Sequence, residues 1–437
     1  MKQNVAHSSA LPRTHEGGLA KRLTPEQELR RTVMACLLWE DTFYEDGVSV
    51  ADRIGALVKV CNPKVVAEMA VEARSVMHLR HVPLLLCREL ARNKALKAAT
   101  LAACIQRADE LAEFLAIYWK DGKQPLAAQV KKGLAAAFGK FNEYALAKYN
   151  QDGAVKLRDV LFLCHAKPKD TEQEALWKRL VARELVTPDT WEVALSGGAD
   201  KKATWERLIE ENKLGALALL RNLRNMEQAG VDRTLVRKAL NAADVSRVLP
   251  FRFIAAARYG PEFEPDLERA LFRSLEGVLT MPTRTVVLVD VSGSMDDKLS
   301  GKSDMTRMDA ACGVAMVARE LCADAAVFTF SDALVKVAAR RGFALRDGMV
   351  GSQRHNGTNL AGAIAKLNEV EKYGRLVVVT DEQTHDGITA PLPEARAYCI
   401  NVASYKNGVG YGQRWTHIDG FSEAVIRYIQ EVERGVV

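Results

Sequence analysis

The sequence predicts two architectures in one chain: a long array of α-helices, then a doubly wound α/β domain. Three observations predict this. From Thr24 to about residue 275, apolar residues recur at helical spacing and strand signals are almost absent. Beyond Pro282-Thr283 the pattern changes to strand alternating with helix, which marks a parallel sheet covered on both faces. Two of those strands, residues 285–290 and 375–380, are near-continuous Val and Leu runs, as a strand buried on both faces requires. The expected division is a polar, mildly basic arm without fixed structure over 1–22, a helical domain over 23–280, and an α/β domain over 281–437.

The first helix is announced by Thr24-Pro25-Glu26-Gln27-Glu28. Thr suits the N-cap, Pro the first turn, and the acids the positive end of the helix dipole. Helical segments then follow one another, among them 51–60, 63–76, 81–91, 94–105, 108–118, 125–137, 142–149, 156–164, 172–185, 201–210, 213–227, 232–239, 244–247 and 263–278. Short antiparallel helices in series predict a solenoid or ring of the HEAT kind. No fixed sequence period stands out, so the repeat is structural rather than literal. In the second domain, strands are expected at 285–290, 325–331, 375–380 and 397–403. Helices are expected at 307–322, 359–371 and 421–433.

Composition narrows the function classes. Of 437 residues, 48% are hydrophobic and 27% charged, which is ordinary for a soluble globular protein. There is no apolar run of the ~18 residues that span a bilayer, and the start of the chain lacks the apolar core of a secretion signal. None of the eight cysteines forms a CxxC pair. They read as buried free thiols in a reducing compartment, so a cytoplasmic location is expected and a zinc site is not. The formal charge of +6 is uneven: residues 281–437 hold 18 basic and 19 acidic side chains, leaving 43 against 36, a net of +7, in the first 280. Such an excess permits polyanion binding without requiring it.

The most pointed chemistry lies in the α/β domain. The first strand ends on Asp290, and the turn after it presents Ser292 and Ser294. Gly357-Thr358 places a hydroxyl before a helix, and a second apolar strand ends at Thr380-Asp381. Five hard oxygen donors at strand ends suit Mg²⁺ or Mn²⁺. Two other readings fail. Gly301-Lys302-Ser303 resembles the end of a P-loop, but Asp296 stands where its first glycine belongs. A phosphatase-like nucleophile at Asp290 would want a second carboxylate two residues on, where Ser292 stands.

The helical part carries three basic constellations. Lys148-Tyr149 precedes a Gly-containing turn and a helix with Lys156 and Arg158, which ends near His165 and Lys167. Arg221, Arg224 and Asn225 stand at i, i+3 and i+4, on one face if one helix runs through them. His78, Arg80 and His81 lie before Pro83, with Arg74 and Arg88 nearby. Each has a plainer reading. The arginines could pair with carboxylates of neighbouring helices, His165 could cap its helix, and His78 with His81 lacks a third metal ligand.

The order Asp290-x-Ser292-x-Ser294, Thr358, Asp381 resembles the metal-ion-dependent adhesion site of von Willebrand factor A domains. The strings from Lys148-Tyr149 to His165-Ala-Lys167-Pro168, and Leu219-Leu-Arg221-Asn222-Leu223-Arg224-Asn225-Met226, resemble the TROVE module of Ro ribonucleoproteins. TROVE followed by an A domain is the Ro architecture, and the resemblance spans most of the chain. It implies a monomeric ring of helical repeats closed by the A domain, with no catalytic activity. It implies Y-like small noncoding RNA on an outer basic surface and single-stranded 3′ ends of misfolded or structured RNA in a central hole. RNA quality control or processing is the implied role, with an exoribonuclease as a candidate partner and no membrane. Lys148 and His165 carry over as Y-RNA contacts, Arg221 and Arg224 as ring contacts, and Lys132 as a further basic position. One departure is Asp152, where vertebrate members carry Arg; an acid there repels phosphate. The competing reading is a protein-interaction module whose metal binds a partner carboxylate.

Overall fold

The computed structural model describes residues 23–35, 47–76, 79–150, 153–196, 200–246, 250–278, 280–299, 304–403 and 414–420, apart from single positions within these stretches, together with isolated positions elsewhere. The expected arm over 1–22, His78, Asp152, Gly301–Ser303 and most of the expected C-terminal helix lie outside the described residues. The chain divides into two compact units: residues 49–242, and residues 1–48 together with 243–437.

The first unit is all helix. Its elements are α2 (Gly47–Val60), α3 (Pro63–Ser75), α4 (His81–Arg92), α5 (Ala98–Cys104), α6 (Asp109–Tyr118), α7 (Ala128–Phe138), α8 (Glu143–Tyr149), α9 (Leu157–Cys164), α10 (Thr171–Ala182), α11 (Trp191–Ser196), α12 (Lys201–Glu210), α13 (Ala216–Arg221), α14 (Leu223–Gln228) and α15 (Arg233–Ala242). Their starts are written in short polar side chains. Asn62 accepts from the Lys64 amide at 3.0 Å, Asn142 from Ala145 at 2.9 Å, and Asp170 from Gln173 at 2.7 Å. Helices pack in an alternating series, α3 on α4 and α5, α5 on α7, α7 on α9. Gly133 lets α7 approach α5 closely: a Cβ there would stand 2.9 Å from the Cβ of Leu101. The expected 94–105 segment begins only at Ala98, because Lys94 turns into a left-handed conformation with φ 58°.

The second unit centres on a six-stranded sheet. Its elements are α1 (Pro25–Ala35), α16 (Pro250–Tyr259), α17 (Glu264–Ser274), β1 (Thr285–Asp290), α18 (Arg307–Leu321), β2 (Ala325–Phe330), β3 (Leu334–Lys336), α19 (Gly342–Val350), α20 (Leu360–Val370), β4 (Arg375–Thr380), β5 (Arg396–Asn401) and β6 (Trp415–Asp419). The order is β3-β2-β1-β4-β5-β6, parallel throughout except for the edge strand β3. Strand order therefore reverses between β1 and β4. In doubly wound sheets, ligands bind at that switch point, off the carboxyl ends of the strands.

Core formation follows the apolar runs. Every residue of β1 and β4 is buried. Val286, Leu288, Leu376 and Val378 pack with Leu360, Ile364 and Leu367 of α20. α18 is buried over nearly its whole length because it has the sheet on one side and α16 on the other. α1 starts as its sequence predicts, with the Gln27 amide donating to the Thr24 hydroxyl at 3.2 Å, and it packs on β6. Three elements carry no clear sequence signal: β3 and β6 are short and edge-placed, and α19 is brief. The 244–247 segment forms no helix at its described positions.

Charge inside the helical unit is matched. Arg74, buried, donates to Glu110 at 2.7 Å and to the Cys104 carbonyl at 3.1 Å. Glu110 is fully buried and also accepts from the amides of Gln106 and Arg107 at 2.7 and 3.0 Å. Arg80 pairs with Asp109 and Glu113, and Arg88 with Glu89 and Asp121. Burial works to raise the Glu113 carboxyl, but His81 and Arg80 hold it below its ordinary range. The third basic constellation is thus framework: its arginines tie α3 and α4 to α6 and the turn after it.

Removing one partner of a buried pair strands the other. Glu110→Ala is expected to destabilise the chain by about 3 kcal/mol or more, because buried Arg74 loses its carboxylate partner inside the protein. Urea unfolding followed by circular dichroism checks this; a midpoint unchanged from the parent would contradict it.

Candidate metal centre and nucleic-acid interface

At the switch point β1 and β4 run side by side in register, Val289 opposite Val379. Asp290 therefore ends level with Thr380, whose hydroxyl donates to Asp290 Oδ2 at 2.6 Å. The other carboxylate oxygen, Oδ1, accepts from the Ser292 amide at 2.9 Å. The turn brings Ser292 Oγ and Ser294 Oγ to 3.3 Å. Gly293 lets this turn press on the neighbouring loop: its amide donates to the Asn356 carbonyl at 2.9 Å. Thr358 follows two residues later, nearly buried, its carbonyl accepting from the Thr384 hydroxyl at 2.8 Å.

Asp381 completes the cluster. It is fully buried, and its Oδ1 accepts from the Gln383 amide at 3.1 Å. Burial, and after it the neighbouring charge of Asp381, push the Asp290 carboxyl up to about 7, against the pull of hydrogen bonds from Ser292 and Thr380. Two carboxylates in a dry site call for positive charge. Part of it comes from Arg307, buried at the start of α18, whose Nη1 donates to Asp381 Oδ2 at 3.2 Å and to the Ser294 carbonyl at 3.0 Å. Sequence reasoning missed this residue. The signal was present in Thr306-x-x-Asp309, a capping box that fixes Arg307 as the first helical residue.

Arg307 meets Asp381, and the Asp290 carboxyl beside it stays raised, so the pair still favours positive charge nearby. The donor set of Asp290, Ser292, Ser294, Thr358 and Asp381 is all oxygen and fits a hard divalent cation. Among the described residues no three His, Cys, Asp or Glu side chains come together in a metal-holding group, so hydroxyls must contribute. Seven cysteines, all of them described, are free and buried. Cys36 lies outside the described residues.

Glu382, next to Asp381, was also missed. It is fully buried with φ 60°, a conformation that a side chain of its kind rarely adopts. Arg31 of α1 pairs with it, and His417 Nε2 of β6 stands 2.9 Å from its Oε1. The N-terminal helix thereby fixes the backbone beside a candidate metal ligand.

In the helical unit the expected RNA contacts occupy separate elements. Lys132 is exposed on α7. Lys148, near the end of α8, has its ammonium 6.0 Å from the Tyr144 ring centre and 5.8 Å from that of Tyr149. His165 is exposed and ends α9 in a left-handed turn, φ 54°. Lys131, Lys132, Lys148, Lys167 and Arg221 make no ion pair among the described residues. That contrasts with the matched arginines of α3 and α4.

Arg221 and Arg224 are both exposed, but one helix does not run through them. α13 ends at Arg221 and α14 begins at Leu223, with buried Asn222 between. The Asn222 side chain donates to the Ala218 carbonyl at 2.8 Å and accepts from Asn225 Nδ2 at 2.8 Å, competing with the helical ladder.

Comparisons with known proteins agree with this architecture. Residues 178–270 match the TROVE domain family. A 79-residue stretch is 37% identical to mouse (Mus musculus) telomerase protein component 1, covering 17% of this chain and 3% of that protein. The rat (Rattus norvegicus) protein is 35% identical over the same length. The chain thus spans a small fraction of the curated relatives it matches. The crystal structure of the Deinococcus radiodurans Ro (RSR) protein superposes with a TM-score of 0.62 at 20% identity, covering 95% of this chain and 100% of that one.

Because Asp290 sits beside a like charge, its loss relieves repulsion. Asp290→Ala is expected to abolish Mn²⁺ binding in calorimetry while the melting temperature stays at or above that of the parent. Retained Mn²⁺ affinity in that variant would remove Asp290 from the site.

Proposed function

We propose that this chain, a TROVE-domain protein of Ro-type fold, is an RNA-binding scaffold rather than an enzyme. The observation that carries the proposal is that Lys131, Lys132, Lys148, Lys167 and Arg221 make no ion pair among the described residues. Lys and Arg left unpaired at a surface supply sequence-independent affinity for phosphates. A-form duplex hides its base edges, so such a surface reads shape, phosphates and 2′-hydroxyls.

In this reading Lys132, Lys148 and His165 hold the stem of a Y-like small RNA. Arg221 and Arg224 meet single-stranded 3′ ends of misfolded or structured RNA in a central hole. The role is RNA quality control or processing by a cytoplasmic monomer, with an exoribonuclease as the partner that acts on the held RNA. The oxygen cluster at the switch point binds Mg²⁺ or Mn²⁺, held by Ser292 and Ser294 directly and by Asp290, Thr358 and Asp381 directly or through water. When bound, the cation offers an open position to an anionic ligand.

Gel-shift titration of a hairpin with a single-stranded 3′ tail, against the same hairpin without it, tests the reading. The tailed RNA is expected to bind more tightly. Arg221→Ala with Arg224→Ala should weaken the tailed RNA several-fold, at about 1 kcal/mol per contact, and spare the blunt one. Lys148→Ala and His165→Ala should weaken both. Equal affinity of the parent for the two RNAs would contradict the threading of single-stranded ends.

A further inference from the structure

We infer that Phe162, flanked by Arg158 and His165, is a stacking platform for an unpaired base of bound RNA; the inference rests on the RNA-binding reading above. α9 already has its apolar stripe: Leu157, Val160, Leu161 and Cys164 are buried, the i, i+3, i+4, i+7 set that faces a core. Phe162 is not part of it. It is 60% exposed, more than any other described phenylalanine or tryptophan. A phenyl ring has no polar atom to offer water, unlike the exposed Tyr144, so its exposure costs free energy with no return from the fold.

The neighbours of Phe162 on that face are cationic or titratable. Arg158 stands four residues before it on α9, the spacing that shares one side of a helix, and exposed His165 caps that helix three residues after it. Lys167 follows, exposed and without an ion pair among the described residues. Beside this face lies a groove of about 450 Å³, lined by Trp119, Pro125, Ala154, Val155 and Leu163. The Lys123 ammonium stands 5.6 Å from the Trp119 ring centre. Asp159 also lines the groove, but its carboxylate is engaged by the Lys156 amide at 3.1 Å and by Arg158 at 3.7 Å.

An exposed aromatic beside the cations Arg158, Lys123 and Lys167 fits a polyanion that carries flat apolar groups. Single-stranded nucleic acid is such a ligand: cations hold its backbone, and every base has a face to stack. Bases inside a duplex are already stacked, so the platform would take a bulged or looped base of a structured RNA. An apolar peptide would use the ring but not the cations around it.

The test uses the full chain and two RNA hairpins, one interrupted by a short bulge containing 2-aminopurine and one fully paired. Phe162→Ala should weaken the bulged hairpin by about five-fold or more and leave the paired hairpin unchanged. It should leave the salt dependence of binding unchanged, since no charge is lost, and it should abolish the 2-aminopurine quenching seen with the parent. Phe162→Trp should restore both affinity and quenching. Parent-like binding of the bulged hairpin by Phe162→Ala, or equal loss on both hairpins, would overturn the platform while leaving RNA binding in place. A parent that binds neither hairpin in a salt-dependent manner would overturn the RNA-binding reading and the platform with it.

Discussion

Charge that is removed from water must be cancelled nearby, and that constraint organises this chain. Transferring an ion into a protein interior costs several kcal/mol unless a counter-charge and hydrogen bonds meet it. The helical unit obeys through pairs: Arg74 with Glu110, Arg88 with Glu89. The sheet unit obeys through Arg31 with Glu382 and Arg375 with Glu433. Against that background two imbalances stand out. At the strand ends, two buried carboxylates lie side by side: Arg307 meets Asp381, while burial and that like charge raise the Asp290 carboxyl. On and around α7 to α9, Lys131, Lys132, Lys148 and Lys167 make no ion pair among the described residues. The first imbalance suits a small cation and the second suits a polyanion.

The two imbalances rest on different local physics. The carboxylates are close because β1 and β4 are parallel neighbours where strand order reverses, a property of the fold. The strained backbone at Glu382 persists because Arg31 and His417 over-determine it from two other elements. The surface cations need no such support, since a lysine in water keeps its charge at little cost. They depend only on helices being set in order by buried stripes such as that of α9.

Much of this was legible in the sequence, for identifiable reasons. Continuous apolar runs such as residues 285–290 and 375–380 admit few alternatives to a buried parallel strand, and both ended where expected. Thr24, Asn142 and Asp170 mark helix starts because their side chains have a specific amide to satisfy. What was not legible was long-range. No local pattern says that Arg307 reaches Asp381, which lies 74 residues away, or that Arg31 meets Glu382. The break at Asn222 was hidden because its side chain, not the apolar spacing, decides the course of the helix. β3 is a three-residue edge strand, too short to show a period. The exposure of Phe162 was equally invisible, since a Phe beside a helical stripe reads as core until burial is known.

The surface imbalance is the claim from which the functional account follows, and its electrostatic signature is direct. Binding of a 3′-tailed RNA hairpin should be measured over a range of salt concentrations, for the parent and for a variant with Lys132→Ala, Lys148→Ala and Lys167→Ala. Each phosphate contact contributes a slope of about 0.7 to 0.9 in log affinity against log salt. The account predicts a steep dependence for the parent and a slope shallower by roughly 2 in the variant. A slope that is the same in both proteins would contradict it.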